Sequence, residues 1–127
     1  MTATPPEQAW FDKADEDYEI ARRALGPDRP IPAAACFHAQ QCAEKYLKGY
    51  LVAHDVPFRF VHDLGYLIGL CAGINPAFAN LRPAAITLNP YVAMARYPSE
   101  AAQEPDIEAA EKAIAVAERI AAAVVRL

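Results

Sequence analysis

Residues 35–51 read ACFHAQQCAEKYLKGYL, and their periodicity decides the fold. From Pro32 to Pro57 no proline interrupts the chain. Within that window Cys36, Ala39, Ala43, Tyr46, Leu47, Tyr50 and Ala53 recur at intervals of three or four, which predicts one helix over 32–54 with a broad apolar stripe. A second stripe on the same helix carries His38, Gln41, Lys45 and Lys48, with Glu44 beside it. A helix apolar over so wide an arc belongs at the centre of a bundle, with other helices packed around it.

Outward from this helix the eleven prolines divide the chain into further proline-free windows. Trp10, Ala14, Tyr18, Ala21 and Leu25 share one face of a helix over 7–25, while Asp12, Asp15, Glu16, Glu19 and Arg22 fill the other, and Gly26-Pro27 ends it. Asp63 is placed to cap a helix whose buried face is Leu64, Leu67, Ile68 and Cys71 and which stops near Gly73. Asn75-Pro76 starts a shorter helical segment to about Leu88. Asn89-Pro90 reads as an N-cap followed by proline in the first turn, giving a short helix over 90–96 closed by Pro98. Ile107, Ala110, Ile114, Ala117, Ala121 and Val124 line a last helix over 105–125, with acids early and Arg119 and Arg126 late, as the helix dipole favours.

The 127 residues suffice for one core, and with 28 alanines against five glycines the composition predicts an all-α domain over 1–127. Several Ala-rich stripes on so small a chain also leave apolar surface for a homodimer. No apolar run reaches the ~18 residues needed to cross a bilayer, and the first residues lack the basic and apolar regions of a leader, so a cytoplasmic protein is expected. The formal charge of −4 excludes a generally basic nucleic-acid coat. Residues 29–98 nevertheless carry six bases (Arg29, Lys45, Lys48, Arg59, Arg82, Arg96) against three acids (Glu44, Asp55, Asp63), which leaves room for a local phosphate site. Cys36, Cys42 and Cys71 are odd in number, and the first two point apart on one helix. They read as small buried apolar residues in a reducing compartment.

The stripe on the central helix has two readings. Two lysines one turn apart hold a phosphate by point charge, with Gln41 free to hydrogen-bond a base or sugar. Alternatively this is a solvated face with a Glu44–Lys48 pair at i, i+4. His62-Asp63 invites comparison with metal-dependent phosphohydrolases, but only His38 and His54 remain as further histidines, and the capping role explains Asp63. No metal and no cofactor are expected. Arg96-Tyr97 stands where a short helix ends: either the guanidinium meets phosphate with the phenol as a proton donor, or Arg96 satisfies the last carbonyls and Tyr97 packs beneath. A Gly-rich phosphate loop, G-x-S-x-G and H-E-x-x-H are all absent from the sequence.

The run 35–51, followed by His62-Asp63-Leu64 and by Ala95-Arg96-Tyr97-Pro98, resembles the HEPN domain family over nearly the whole chain. The resemblance implies an up-and-down bundle of four long helices with a short extra one, paired as a homodimer. It also implies a nucleotide or RNA ligand and a minimal nucleotidyltransferase partner in a two-gene, toxin–antitoxin type module. Several branches of the family are metal-independent ribonucleases in which an Arg, followed after four to six residues by a His, acts on RNA across a dimer cleft. Here the positions after Arg96 hold Ala101, Ala102 and Gln103, so the usual dyad is missing. Carried over by motif position are Gln41, Glu44, Lys45, Lys48 and Arg96 for nucleotide or phosphate binding, with Arg96, Tyr97 and His38 as candidates for any catalysis. Three functions therefore stand: a nucleotide- or RNA-binding component of such a module, a ribonuclease with a variant site around Arg96, and a purely structural dimer or adaptor.

Overall fold

Proline opens most of the helices. Its missing N–H is one that a first turn leaves unpaired anyway, and its fixed φ suits helix entry. In the computed structural model, which describes residues 3–97 and 104–126, the elements are α1 (Pro6–Ala24), α2 (Pro32–Ala53), α3 (Leu64–Ile74), a 3₁₀ segment (Pro76–Leu81), α4 (Arg82–Ile86), α5 (Pro90–Arg96) and α6 (Ile107–Arg126). Among the described residues there is no strand. The expected all-helical bundle is what the chain forms, and the segment 76–88 resolves into the 3₁₀ stretch and the single turn of α4.

Helix α2 is the central element, contacting α1, α3, α5 and α6. Its buried residues run almost all round its circumference: Cys36, Ala39, Ala43, Leu47, Tyr50 and Leu51 are joined by Gln40, Glu44 and Lys48. Small residues let the neighbours close in. Ala14 and Ala21 of α1 and Ala110, Ala113 and Ala117 of α6 are buried against this axis. Gly49 is the tightest point, since a Cβ there would lie 2.5 Å from the Phe11 ring. Phe78, Leu64, Leu67 and Ile68 close the end of the core formed by α3 and the 3₁₀ segment.

Asp63 caps α3 as expected, accepting from the N–H groups of Gly65 (2.9 Å) and Tyr66 (3.4 Å). Asn75 does the same for the 3₁₀ segment through Ala77 (3.0 Å). Asn89 departs from expectation: it is not the cap of α5. Its backbone already has helical angles (φ −54°, ψ −41°), whereas an N-cap needs an extended backbone to turn its side chain onto the following N–H groups. The Asn89 amide instead reaches back to α3, accepting from Leu64 N–H at 2.9 Å and donating to Asp63 Oδ1 at 3.1 Å. α1 ends at Ala24, just before Gly26-Pro27, though without a left-handed glycine; the only positive φ among the described residues is at Asp55 (57°), just after α2.

Candidate functional site

Among the described residues two carboxylates are buried, and each is met by one lysine and one imidazole. Asp17 of α1 is 6% exposed; its Oδ1 lies 2.8 Å from His38 Nδ1 and its Oδ2 2.6 Å from Lys45 Nζ. Glu44 of α2 is 3% exposed; its Oε2 lies 3.0 Å from Lys48 Nζ and its Oε1 2.8 Å from His62 Nδ1. Gln40, fully buried, donates to Glu44 Oε1 (3.1 Å) and to the His62 carbonyl (3.2 Å), and accepts from the Gln41 amide (2.7 Å). Charges withdrawn from water persist only when paired and hydrogen-bonded on every side, and both clusters meet that requirement.

This disposes the sequence stripe in an unexpected way. The Glu44–Lys48 pair exists, but in the interior rather than on a solvated face, because Trp10 and Phe58 cover the ammonium at 5.8 and 5.7 Å from their ring centroids. Lys45 is tied to Asp17, and Gln41 to Gln40. These three side chains are therefore engaged with the protein's own groups. Asp17 and Gln40 were not singled out from the sequence, although a signal existed. Asp17 stands between Ala14 and Ala21 on the apolar stripe of α1, and Gln40 lies one turn from both Cys36 and Glu44.

Arg96 and His38, 58 positions apart, line one pocket of about 420 Å³ between the first turns of α2 and the end of α5, together with Phe37, Met94 and Glu104. Arg96 is exposed; His38 is three-quarters covered. His38 turns Nδ1 to the Asp17 carboxylate; as a neutral imidazole donating there, it has Nε2 as an acceptor or base. An oriented imidazole beside a guanidinium is an arrangement able to hold a phosphate and to move a proton. His62 does not line this pocket. Tyr97, read from the sequence either as a proton donor or as packed beneath the helix end, is 69% exposed and not packed beneath it, because α5 stops at Arg96 and the chain turns extended there (φ −128°, ψ 141°). Pro98, Ala101, Ala102 and Gln103 lie outside the described residues.

The cysteines take no part in a site. All three are free and buried, and burial pushes their thiols up to about 11 for Cys36 and about 12 for Cys42 and Cys71, far from the thiolate state that nucleophiles and metal ligands need. Among the described residues no group of three or more His, Cys, Asp or Glu side chains is placed to hold a metal ion. No described helix is long and apolar enough to cross a membrane.

A family model for the HEPN domain matches residues 7–127. Two solved structures are similar over nearly their full lengths. One is ST0689, an archaeal HEPN homologue (28% identity, TM-score 0.76, 94% of this chain and 95% of that one). The other is TT1696 from Thermus thermophilus (26% identity, TM-score 0.76, 97% and 98%). No curated protein matches.

Proposed function

The chain belongs to the HEPN domain family, and from that premise we propose that it binds nucleotide phosphate groups, RNA included, in the pocket where Arg96 and His38 meet. In this reading it is the binding component of a two-gene module of toxin–antitoxin type. It works in the cytoplasm as a homodimer alongside a minimal nucleotidyltransferase. The observation that carries the binding site is the convergence of an exposed guanidinium and a carboxylate-held imidazole on one pocket. The exposed Ile20, Ile31, Ile86 and Ile107 favour the dimer.

Losing a charge-assisted contact costs about 1.5–3 kcal/mol, or roughly ten- to a hundredfold in affinity. Arg96→Ala is therefore expected to weaken binding of AMP and of a single-stranded RNA by that factor while leaving helical content unchanged, as read by calorimetry and circular dichroism. Affinity equal to that of the parent protein would remove the site.

The Asp17–His38 pair favours a second reading, metal-independent RNA cleavage: Nε2 of His38 takes the 2′-hydroxyl proton as that oxygen bonds to phosphorus, Arg96 stabilises the charged transition state, and the P–O5′ bond breaks with the 5′-oxygen protonated by water, leaving a 2′,3′-cyclic phosphate. Incubation of RNA with the pure protein in excess chelator separates the two. Cleavage abolished by His38→Ala establishes the enzyme, and intact RNA leaves the binding function alone.

A further inference from the structure

Phe60 is 92% exposed, yet the loop that carries it is firmly held. Val61 N–H donates to the Arg59 carbonyl at 2.9 Å, an i to i+2 bond that makes Phe60 the apex of a γ-turn. Before the apex, Phe58 packs edge-on against Trp10 with centroids 6.1 Å apart, and Arg59 N–H donates to the Tyr66 hydroxyl at 3.2 Å. After it, His62 is fastened at both ends, its carbonyl by Gln40 and its imidazole by Glu44. Asp63 is then committed to the first turn of α3. The backbone is thus anchored on both sides of one ring and turned outward at that ring. Burying a side chain of this size ordinarily stabilises a fold, and here that gain is forgone.

The surroundings of the ring indicate its occupant. Residues 56–62 contain Arg59 and His62 and no acid. The Arg59 guanidinium carbon lies 4.6 Å from the Tyr66 ring centroid, which sets a cation beside the residue that carries the exposed ring. A stable protein interface needs a contiguous patch of about 800 Å² per partner with an apolar centre, whereas Phe60 is the one large hydrophobic side chain of residues 54–63 that is exposed. A nucleobase needs only one open aromatic face and a cation nearby for its phosphate.

We propose that Phe60 is a stacking platform for a base of single-stranded RNA, with Arg59 taking the adjoining phosphate; this rests on the nucleotide-binding reading above and specifies its ligand as a strand rather than a mononucleotide.

The test measures the affinity of the full chain for a labelled single-stranded RNA 12-mer by fluorescence anisotropy, and for AMP by calorimetry, in the parent protein and in Phe60→Ala, Phe60→Leu and Phe60→Trp. The expected result is a loss of about tenfold or more for the 12-mer in Phe60→Ala, no rescue by Leu, rescue by Trp, and AMP affinity unchanged throughout. Thermal melts of the variants should coincide with the parent, since the ring touches little. Equal RNA affinity in Phe60→Ala, or full rescue by Leu, overturns the proposal. So does a dimer that dissociates on sedimentation of Phe60→Ala, because the ring would then serve a second copy of the chain. RNA binding lost in Arg96→Ala but indifferent to Phe60 overturns this inference alone, and a parent protein that binds neither RNA nor AMP overturns both.

Discussion

Glu44 depends closely on its neighbours, because it is almost wholly enclosed by protein. Removing one member of a buried ion pair commonly costs 3–5 kcal/mol by leaving the other charge uncompensated. Lys48→Met keeps the apolar stem against Trp10 and Phe58 and deletes only the ammonium; His62 and Gln40 still face the carboxylate. The expected loss is therefore at the low end, about 3 kcal/mol in urea unfolding. Combining it with Glu44→Leu should recover only part of that loss: apolar replacement of a whole buried pair is often near neutral, but Gln40 and His62 then lose their shared acceptor. A single variant as stable as the parent would show that water reaches Glu44. Residues of this kind are hard to read from sequence. The i, i+4 spacing of Glu44 and Lys48 gives the pair but not its depth, which is set by Trp10 and Phe58 from other segments. The convergence of His38 on Arg96 is likewise a tertiary fact, although both residues stand out in the sequence on their own.

Among the helices, the close crossing of α1 and α2 at Gly49 sets the tolerance of the whole central element. Replacing a mid-helix glycine by alanine ordinarily gains about 0.5–1 kcal/mol. Here the new methyl would sit 2.5 and 2.8 Å from the Phe11 ring and 3.0 Å from Trp10 Cβ. Phe11 cannot swing away freely, since it stacks on Tyr46 with centroids 5.7 Å apart. Overpacking costs typically 1–3 kcal/mol, so Gly49→Ala is expected to destabilise by about 1–2 kcal/mol net, read as a lower denaturation midpoint. An increase in stability would mean that the two helices separate easily. The element boundaries were largely legible because proline and the Asp63 cap act locally, on their own turns. Asn89 was not, because an Asn-Pro pair advertises a cap whichever helix its side chain finally serves, and here it serves one that begins 25 positions earlier.

Across the whole molecule, the three thiols and the phenols of Tyr18 and Tyr46 hold their hydrogens more tightly folded than unfolded. Burial raises Cys36, Cys42 and Cys71 from an ordinary 9.0 to between about 11 and 12. Tyr46 rises through burial and its bond to Asp15, and Tyr18 through its bond to Glu118. Groups raised in this way contribute a stability that is complete below the unfolded value and is lost as pH climbs toward the folded one. Thermal melts should therefore hold steady to about pH 9 and fall progressively from there toward pH 12, and thiol reagents at neutral pH should react only as fast as the protein opens. A melting temperature flat across the alkaline range would contradict the burial of the thiols. The amide of Leu64 offers a finer instrument. A first-turn N–H normally faces water and trades its hydrogen for deuterium at once, but this one is bonded to Asn89 at the entrance to α5. Its exchange rate is therefore a clock for the undocking of the segment that ends in Arg96, read at a position remote in sequence from any ligand held there.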